Sequence, residues 1–290
     1  MKQAKQNIKR KSIKLGKRTI VMGILNITPD SFSDGGSYYN NVDKALERVK
    51  KMHAEGADII DIGGESSRPG SEQVSREEEL SRVIPVIEAA RNTLGEKVLL
   101  SIDTYKADVA REALVKGVNM INSLGGFIFD HDLANVAAEF ACPVILYHIN
   151  GKPKTMQQGK IFYTDVIADI SAFFLKQINF GIRRSMSREQ FILDPGIGFG
   201  KTVEQNVEII RRLNEFAALE LPLAIGVSRK SHLGELLKQD LHLSKLPEAN
   251  QRLEAGLAET AIAVLNGAAI VRTHDIAQTK RFLSVLDLFK

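Results

Sequence analysis

The chain has 290 residues, 44% of them hydrophobic and 26% charged, the composition of a soluble globular protein with an ample core. No apolar run approaches the roughly 18 residues that would cross a bilayer, and no apolar signal centre follows the N-terminus, so a cytoplasmic protein without membrane contact is expected. The formal charge of +4 is uneven: residues 1–18 hold eight Lys or Arg and no acid, so the remaining 272 sum to −4. This segment reads as a solvated basic arm, since no aromatic residue or recognition motif within it points to nucleic acid. The single cysteine, Cys142, cannot form an intramolecular disulfide and precedes Pro143 at the start of an apolar run, which reads as a buried structural thiol in a reducing compartment.

From residue 19 onward, eight apolar runs of strand length recur, each ending on a polar residue. They are 20–25 before Asn26, 59–60 before Asp61, 98–102 before Asp103, 120–121 before Asn122, 144–147 before His148, 191–193 before Asp194, 223–227 before Ser228 and 269–271 before Arg272. Near-continuous apolar runs are the mark of strands covered on both faces, as in an all-parallel sheet. Helical periodicity fills the gaps. Asp43 can cap a first helix, Ser75 and Glu78 can form a capping box on a second, and Pro85 inside that second helix should bend or interrupt it. Further helical stripes lie near 109–114, 133–140, 166–178, 203–213, 233–237, 253–264 and 276–286. Eight strand-then-helix units of about this total length predict one (β/α)8 barrel domain over 19–290. A doubly wound sheet is the alternative, weakened because no G-x-G-x-x-G turn follows the first strand.

Closing such a barrel brings the strand ends to one mouth, where ligands bind. The stretch FILDPGIGFGK, 191–201, shows the pattern most plainly: a buried strand, a carboxylate at its end, then a glycine-rich loop. Asp103, Asn122 and Asp194 supply acceptors for a ligand edge rich in N–H donors, such as an aminopyrimidine. Arg68, Lys230, Arg272 and His274 supply cations and donors for a phosphate or pyrophosphate. Lys230 can be read as a Schiff-base lysine or as a cation bonded to a ring. The long loops 26–41 and 63–75 exceed ordinary connections and can close over substrate. A zinc site at His148 lacks a second ligand at suitable spacing, and His53, His131, His232 and His242 read as structural.

The motifs MGILNITPDSFSDGG (22–36), DIGGESSRPG (61–70), SIDTYKADVA (101–110), ILDPGIGFGKT (192–202), IGVSRKSHLG (225–234) and VRTHD (271–275) together resemble the dihydropteroate synthase family. The resemblance runs from about residue 19 to the end. It implies a (β/α)8 barrel enzyme that joins 6-hydroxymethyl-7,8-dihydropterin pyrophosphate to p-aminobenzoate in folate synthesis, commonly as a homodimer. It further implies that Asp103, Asn122, Asp194, Lys230 and Arg272 hold the pterin, and that Asn26 binds Mg2+ with the pyrophosphate. Ser67, Arg68, Arg272 and His274 would surround that anion, and p-aminobenzoate would lie near Phe32, Arg68, Pro69, Phe199, Lys230 and Ser231. Three positions depart from the family pattern. Ser67 stands where Thr is usual, which bears on p-aminobenzoate packing or sulfonamide affinity. Ser123 replaces an Asp beside the pterin, and Tyr147 and Ile149 flank His148 where methionines are usual, altering an apolar wall. Competing readings are a methyltetrahydrofolate:corrinoid methyltransferase, a catalytically silent folate-binding paralogue and a Schiff-base aldolase.

Overall fold

The apolar runs become eight parallel strands: β1 Ile20–Asn26, β2 Ile59–Gly63, β3 Leu99–Asp103, β4 Met120–Leu124, β5 Val144–Tyr147, β6 Phe191–Asp194, β7 Leu223–Ile225 and β8 Ala268–Thr273. They pair in sequence order, and β1 also pairs with β8, so the sheet closes on itself. Closure excludes the doubly wound alternative, which would leave two edge strands. The structure, a computed structural model, describes residues 16, 18–29, 41–67, 70–158 and 161–290. Most of the expected basic arm therefore lies outside the described residues. Its last residue is stitched to the barrel, with Arg18 paired to Asp58 at 2.8 Å, and Thr19 then donates to Asp287 from both backbone and hydroxyl.

The outer ring is formed by α1 Val42–Ala54, α2 Arg76–Leu94, α3 Ala107–Val115, α4 Asp132–Glu139, α5 Val166–Ile182, α6 Val203–Arg211, α7 Ser231–Asp240, α8 Leu253–Leu265 and α9 Ile276–Leu286. Three local expectations change. The cap of α1 is Asn41, whose Oδ1 accepts from the Lys44 amide at 2.9 Å, while Asp43 sits in the first turn. Ser75 caps α2 as expected by accepting from the Glu78 amide, but the Glu78 carboxylate pairs with Arg82 instead of completing the box. Pro85 does not interrupt α2. Its ring and Ser81, whose carbonyl loses the intrahelical donor, both lie on the exposed face, where water can take over that bond. Among the described residues, no helix is long and apolar enough to cross a membrane.

Strand alternation divides the core in two. Outward-facing residues such as Val21, Ile60, Leu100, Ile121, Leu146 and Leu193 pack with the helices, and buried Cys142 belongs to this layer. Inward-facing Met22, Ile59, Leu99, Met120, Ile145, Ile192, Ala224 and Ile270 fill the barrel itself. Burying each large aliphatic side chain there contributes about 1.5–3 kcal/mol. The barrel is therefore plugged below, and a ligand can enter only from the carboxyl end.

Candidate active site

The same inward face changes character two residues further along six of the strands. Above the apolar plug stand Asp61, Ser101, Asn122, Tyr147, Asp194 and Arg272, one each from β2, β3, β4, β5, β6 and β8, with Asp103 a further step up β3. The Arg272 guanidinium ties this layer together, donating through Nε to Asp61 at 2.7 Å and through Nη2 to Asp103 at 2.5 Å. Asn122 donates to the same Asp61 oxygen at 2.9 Å, which leaves its own carbonyl as an acceptor. Asp194 accepts from the Gly196 amide at 2.8 Å. Above them opens a cavity of about 990 Å³ whose lining includes Asn26, Ser67, Asp103, Phe199, Lys230, Ser231, Arg272 and His274. The expected site residues thus converge, apart from Phe32, Arg68 and Pro69, which lie outside the described residues.

Charge in this mouth is unbalanced in a useful direction. Asp61, Asp103 and Asp194 face two cations, Arg272 and Lys230, so the layer holds more acceptor capacity than its own donors use. The Asp61 Oδ1 atom is buried without a hydrogen-bond donor among the described residues. Burial, reinforced by the neighbouring Asp61 and Glu79 carboxylates, raises the Asp103 pKa against the pull of Arg272. Asp194 is pushed up to about 6 by burial, opposed by the Gly196 amide and Lys230. Burial and then Arg272 bring Lys230 down to about 7. Arg272 itself is raised, because Asp61 and Asp103 outweigh its loss of solvent. A donor-rich ligand entering this layer meets acceptors poised to charge near neutral pH.

The glycine loop after β6 is built by close approach. A side chain at Gly196 would place its Cβ 1.9 Å from the His148 carbonyl oxygen, and one at Gly200 would come 2.3 Å from that of Asn150; both have positive φ, 73° and 64°. Lys201 secures the loop from behind, 3% exposed, with Nζ 2.9 Å from His148 Nδ1 and donating to the Gly196 and Phe199 carbonyls. His148 therefore faces the helical side, packed against Phe173 with ring centroids 4.8 Å apart, and takes no place in the mouth. Burial, with Lys201 beside it, holds its pKa well below the ordinary value. The inward residue of β5 is Tyr147, one position earlier. Ser123 likewise points away from the cavity and donates to the Gly126 carbonyl at 2.6 Å, so it is not one of the inward groups of β4. Ile149 does join the apolar wall, with Leu124, Tyr147, Met156 and Phe199.

The loop after β2 is tied down by residues whose role a strand-end reading does not reveal. Lys106 Nζ lies 2.5 Å from both Glu65 and Glu79 and donates to the Val74 carbonyl at 2.7 Å, while the Tyr105 hydroxyl and the Val74 amide donate to Glu65. Both ends of the segment bearing Ser67 are pinned to one ammonium. Arg252, from the insertion before α8, similarly holds the loop after β7 through the Arg229 and Lys230 carbonyls, at 3.1 and 3.3 Å. Arg229 is a structural partner, paired with Asp275 at 2.5 Å. His274 meets the Ser228 hydroxyl at 3.1 Å through Nδ1, and buried His232 meets Glu259 at 2.8 Å. No described cluster of His, Cys, Asp and Glu forms a metal cage.

Comparison with known proteins gives the site its context. A family model described as pterin binding enzyme matches residues 22–274. A dihydropteroate synthase of Synechocystis sp. is 46% identical over 94% of this chain and 90% of its own length. One from Escherichia coli K12 is 42% identical over 92% of this chain and 90% of its own. Among solved structures, the Yersinia pestis dihydropteroate synthase in complex with a sulfonamide drug is 40% identical, superposes with a TM-score of 0.89 and is covered to 98%, against 97% of this chain. The Xanthomonas albilineans dihydropteroate synthase in complex with 7,8-dihydropteroate is 34% identical with a TM-score of 0.79, each chain covered to 94%. Matched along nearly its whole length in sequence and in fold, this chain belongs to the dihydropteroate synthase family of pterin-binding enzymes.

Proposed function

We propose that the chain is a transferase of folate biosynthesis that condenses 6-hydroxymethyl-7,8-dihydropterin pyrophosphate with p-aminobenzoate, giving 7,8-dihydropteroate and pyrophosphate. The observation that carries this reading is the division of one cavity by depth. Acceptors on Asp61, Asn122 and Asp194 lie in the layer beneath the cavity with Asp103 at its lining, and the donors Ser67, Lys230 and His274 line the space above. Such a cavity suits a ligand that is rich in N–H groups at one end and polyanionic at the other. Related proteins solved with 7,8-dihydropteroate and with a sulfonamide drug support the same assignment.

In this reading Asp103, Asn122 and Asp194 accept from the pterin edge while Lys230 donates to the ring. Arg272 keeps Asp61 and Asp103 in place beside the pterin, and with Asn26, Ser67, Arg68 and His274 it offsets charge on the pyrophosphate. Phe199, Ser231 and Lys230, with Phe32, Arg68 and Pro69, receive p-aminobenzoate. The reaction needs no protein nucleophile. The C–O bond to pyrophosphate breaks with its electron pair leaving on oxygen, and the electron-rich dihydropterin stabilises the methylene cation. The aniline nitrogen then forms the C–N bond and loses a proton. The residues' task is to orient the two substrates, stabilise the departing anion and keep water from the cation.

The donor set also fits Mg2+ in a limited way. Asn26 offers one hard oxygen at the cavity wall, and no cage surrounds it among the described residues, the pattern of an ion held mainly by substrate phosphates and water. When bound there, Mg2+ would neutralise charge on the pyrophosphate. A homodimer is the expected assembly, supported by exposed Ile262, Leu265 and Val285 on α8 and α9, and a cytoplasmic setting agrees with the single buried thiol. The deciding assay follows pyrophosphate release and dihydropteroate formation with Mg2+, with and without p-aminobenzoate. Coupled release and product formation is the expected result. Pterin binding without release would instead identify a silent pterin binder, and neither would favour the methyltransferase.

A further inference from the structure

Tyr147 occupies a place that neither the strand ends nor the assigned substrate contacts explain. It is the inward residue of β5, only 4% exposed, at the level of the pterin-facing carboxylates. Its hydroxyl lies 3.3 Å from the Lys230 ammonium. Its ring stands edge-on to Phe199, with centroids 4.6 Å apart at 67°, and the Lys230 nitrogen sits 4.1 Å from the centre of that same Phe199 ring. Three side chains from three different loops or strands thus close a triangle: a hydroxyl that accepts, an aromatic face that attracts a cation, and the ammonium between them. On the far side, the lysine stem runs against Gly198, where a Cβ would lie 3.4 Å from Lys230 Cδ. A side chain with four rotatable bonds is left little freedom.

We propose that Tyr147 is a positioning residue of the pterin site, its hydroxyl and ring together holding the Lys230 ammonium charged and aimed at the substrate junction. The hydroxyl can serve only as a neutral group, and burial together with Asp194 keeps its pKa well above the ordinary value. The groups that set the charge on Lys230 are Asp103 on β3, Asp194 on β6, Arg272 on β8 and Glu259 on α8, and Tyr147 on β5 bonds it directly. The carboxylates favour the ammonium, while burial and Arg272 oppose it; the hydroxyl oxygen, accepting from Lys230 at 3.3 Å, adds to the carboxylates' side. Losing the hydroxyl therefore moves the balance toward the neutral amine. A methionine at this position would fill the wall without offering an acceptor of comparable strength, so the tyrosine gives a more firmly held lysine than that side chain would.

The test compares wild type, Tyr147→Phe and Tyr147→Met, and it rests on the function proposed above only for its kinetic arm. The pH dependence of kcat/KM for the dihydropterin pyrophosphate is measured, together with the KM for p-aminobenzoate. In parallel, the rate at which acetic anhydride modifies Lys230 is followed against pH by mass spectrometry, which reports the lysine whether or not turnover occurs. Both variants are expected to move the alkaline limb and the labelling curve down by about one pH unit. At pH 8 the efficiency would then fall about tenfold, and at pH 6 it would stay within about twofold of wild type. Tyr147→Phe retains the ring and is the variant least disturbed in folding. A labelling curve that coincides with wild type would overturn the proposal, as would an activity loss equal at every pH, which marks a merely structural role. Wild type without product formation would sink the functional reading instead, leaving the labelling curves to decide the role of Tyr147.

Discussion

The interior of this barrel contains two layers that share strands, face and curvature and differ by two residues of height. The lower layer, from Met22 through Ile270, is wholly apolar and closes the barrel. The upper one, from Asp61 through Arg272, is a hydrogen-bonded set of charged and polar groups beneath an open cavity. The difference shows how one strand can serve stability and chemistry together: a two-residue step keeps the side chain on the inner face while changing whether substrate can reach it. Stability comes from filling space below, and function from leaving acceptors unspent above.

The sharpest way to break this division is to act on the lower layer. Ile145→Ala should cost about 2–5 kcal/mol of unfolding free energy, because the packed interior cannot collapse around the missing atoms. Pterin affinity of the folded fraction, read by calorimetry beside denaturant unfolding, should not change. A large affinity loss would mean that the two layers are mechanically one. Asp61→Ala tests whether the upper layer is free of structural duty, and the expectation is that it is not. Arg272 would lose one of two carboxylates and Asn122 its acceptor, at a cost of about 3 kcal/mol in the same unfolding measurement. A change under about 0.5 kcal/mol would show that Asp103 alone suffices for Arg272.

Asp194→Ala acts on function more than on folding. Removing the carboxylate proposed to receive paired N–H donors should weaken pterin binding by about 3 kcal/mol, roughly a hundredfold in Kd. Wild-type affinity in that variant would remove Asp194 from the pocket. The smallest effect is expected from pH. The Asp194 carboxyl, raised to about 6, is a full acceptor above that value and loses the role as pH falls through it. Lys230, lowered to about 7, is charged below that value and neutral above it. Asp103, raised to about 7, gains acceptor charge over the interval in which Lys230 loses its own, so pterin affinity should fall severalfold from pH 7 toward pH 5 and change little toward pH 8. A flat profile in calorimetry from about pH 5 to 7 would show that neither carboxyl titrates while the pocket is exposed.

Much of the upper layer is legible in the order of residues alone. Asp103, Asn122, Asp194 and Arg272 each follow or end an apolar run, and a closed barrel gathers such positions automatically. The same rule misleads at His148 and Ser123, which end or continue their runs but point toward the helices. It also passes over Tyr147, which reads as one more apolar residue of β5 until its hydroxyl is seen beside Lys230. Asp61 is visible as a strand end, but its service to both Arg272 and Asn122 depends on β2 standing within reach of β8 and β4. Lys106 and Lys201 lie within recognisable motifs, yet their partners are distant in sequence or on the backbone, where spacing says nothing.

The order of residues is enough to specify the eight strand-and-helix units, the covered parallel sheet and the residue types available at each strand end. These follow from local periodicity and from where apolar runs stop. Which side of each strand end faces the cavity, which acceptors are already engaged and which lysines are buried are settled by the assembled barrel. Those outcomes depend on register and closure, and a single residue of phase exchanges the barrel interior for the helical shell.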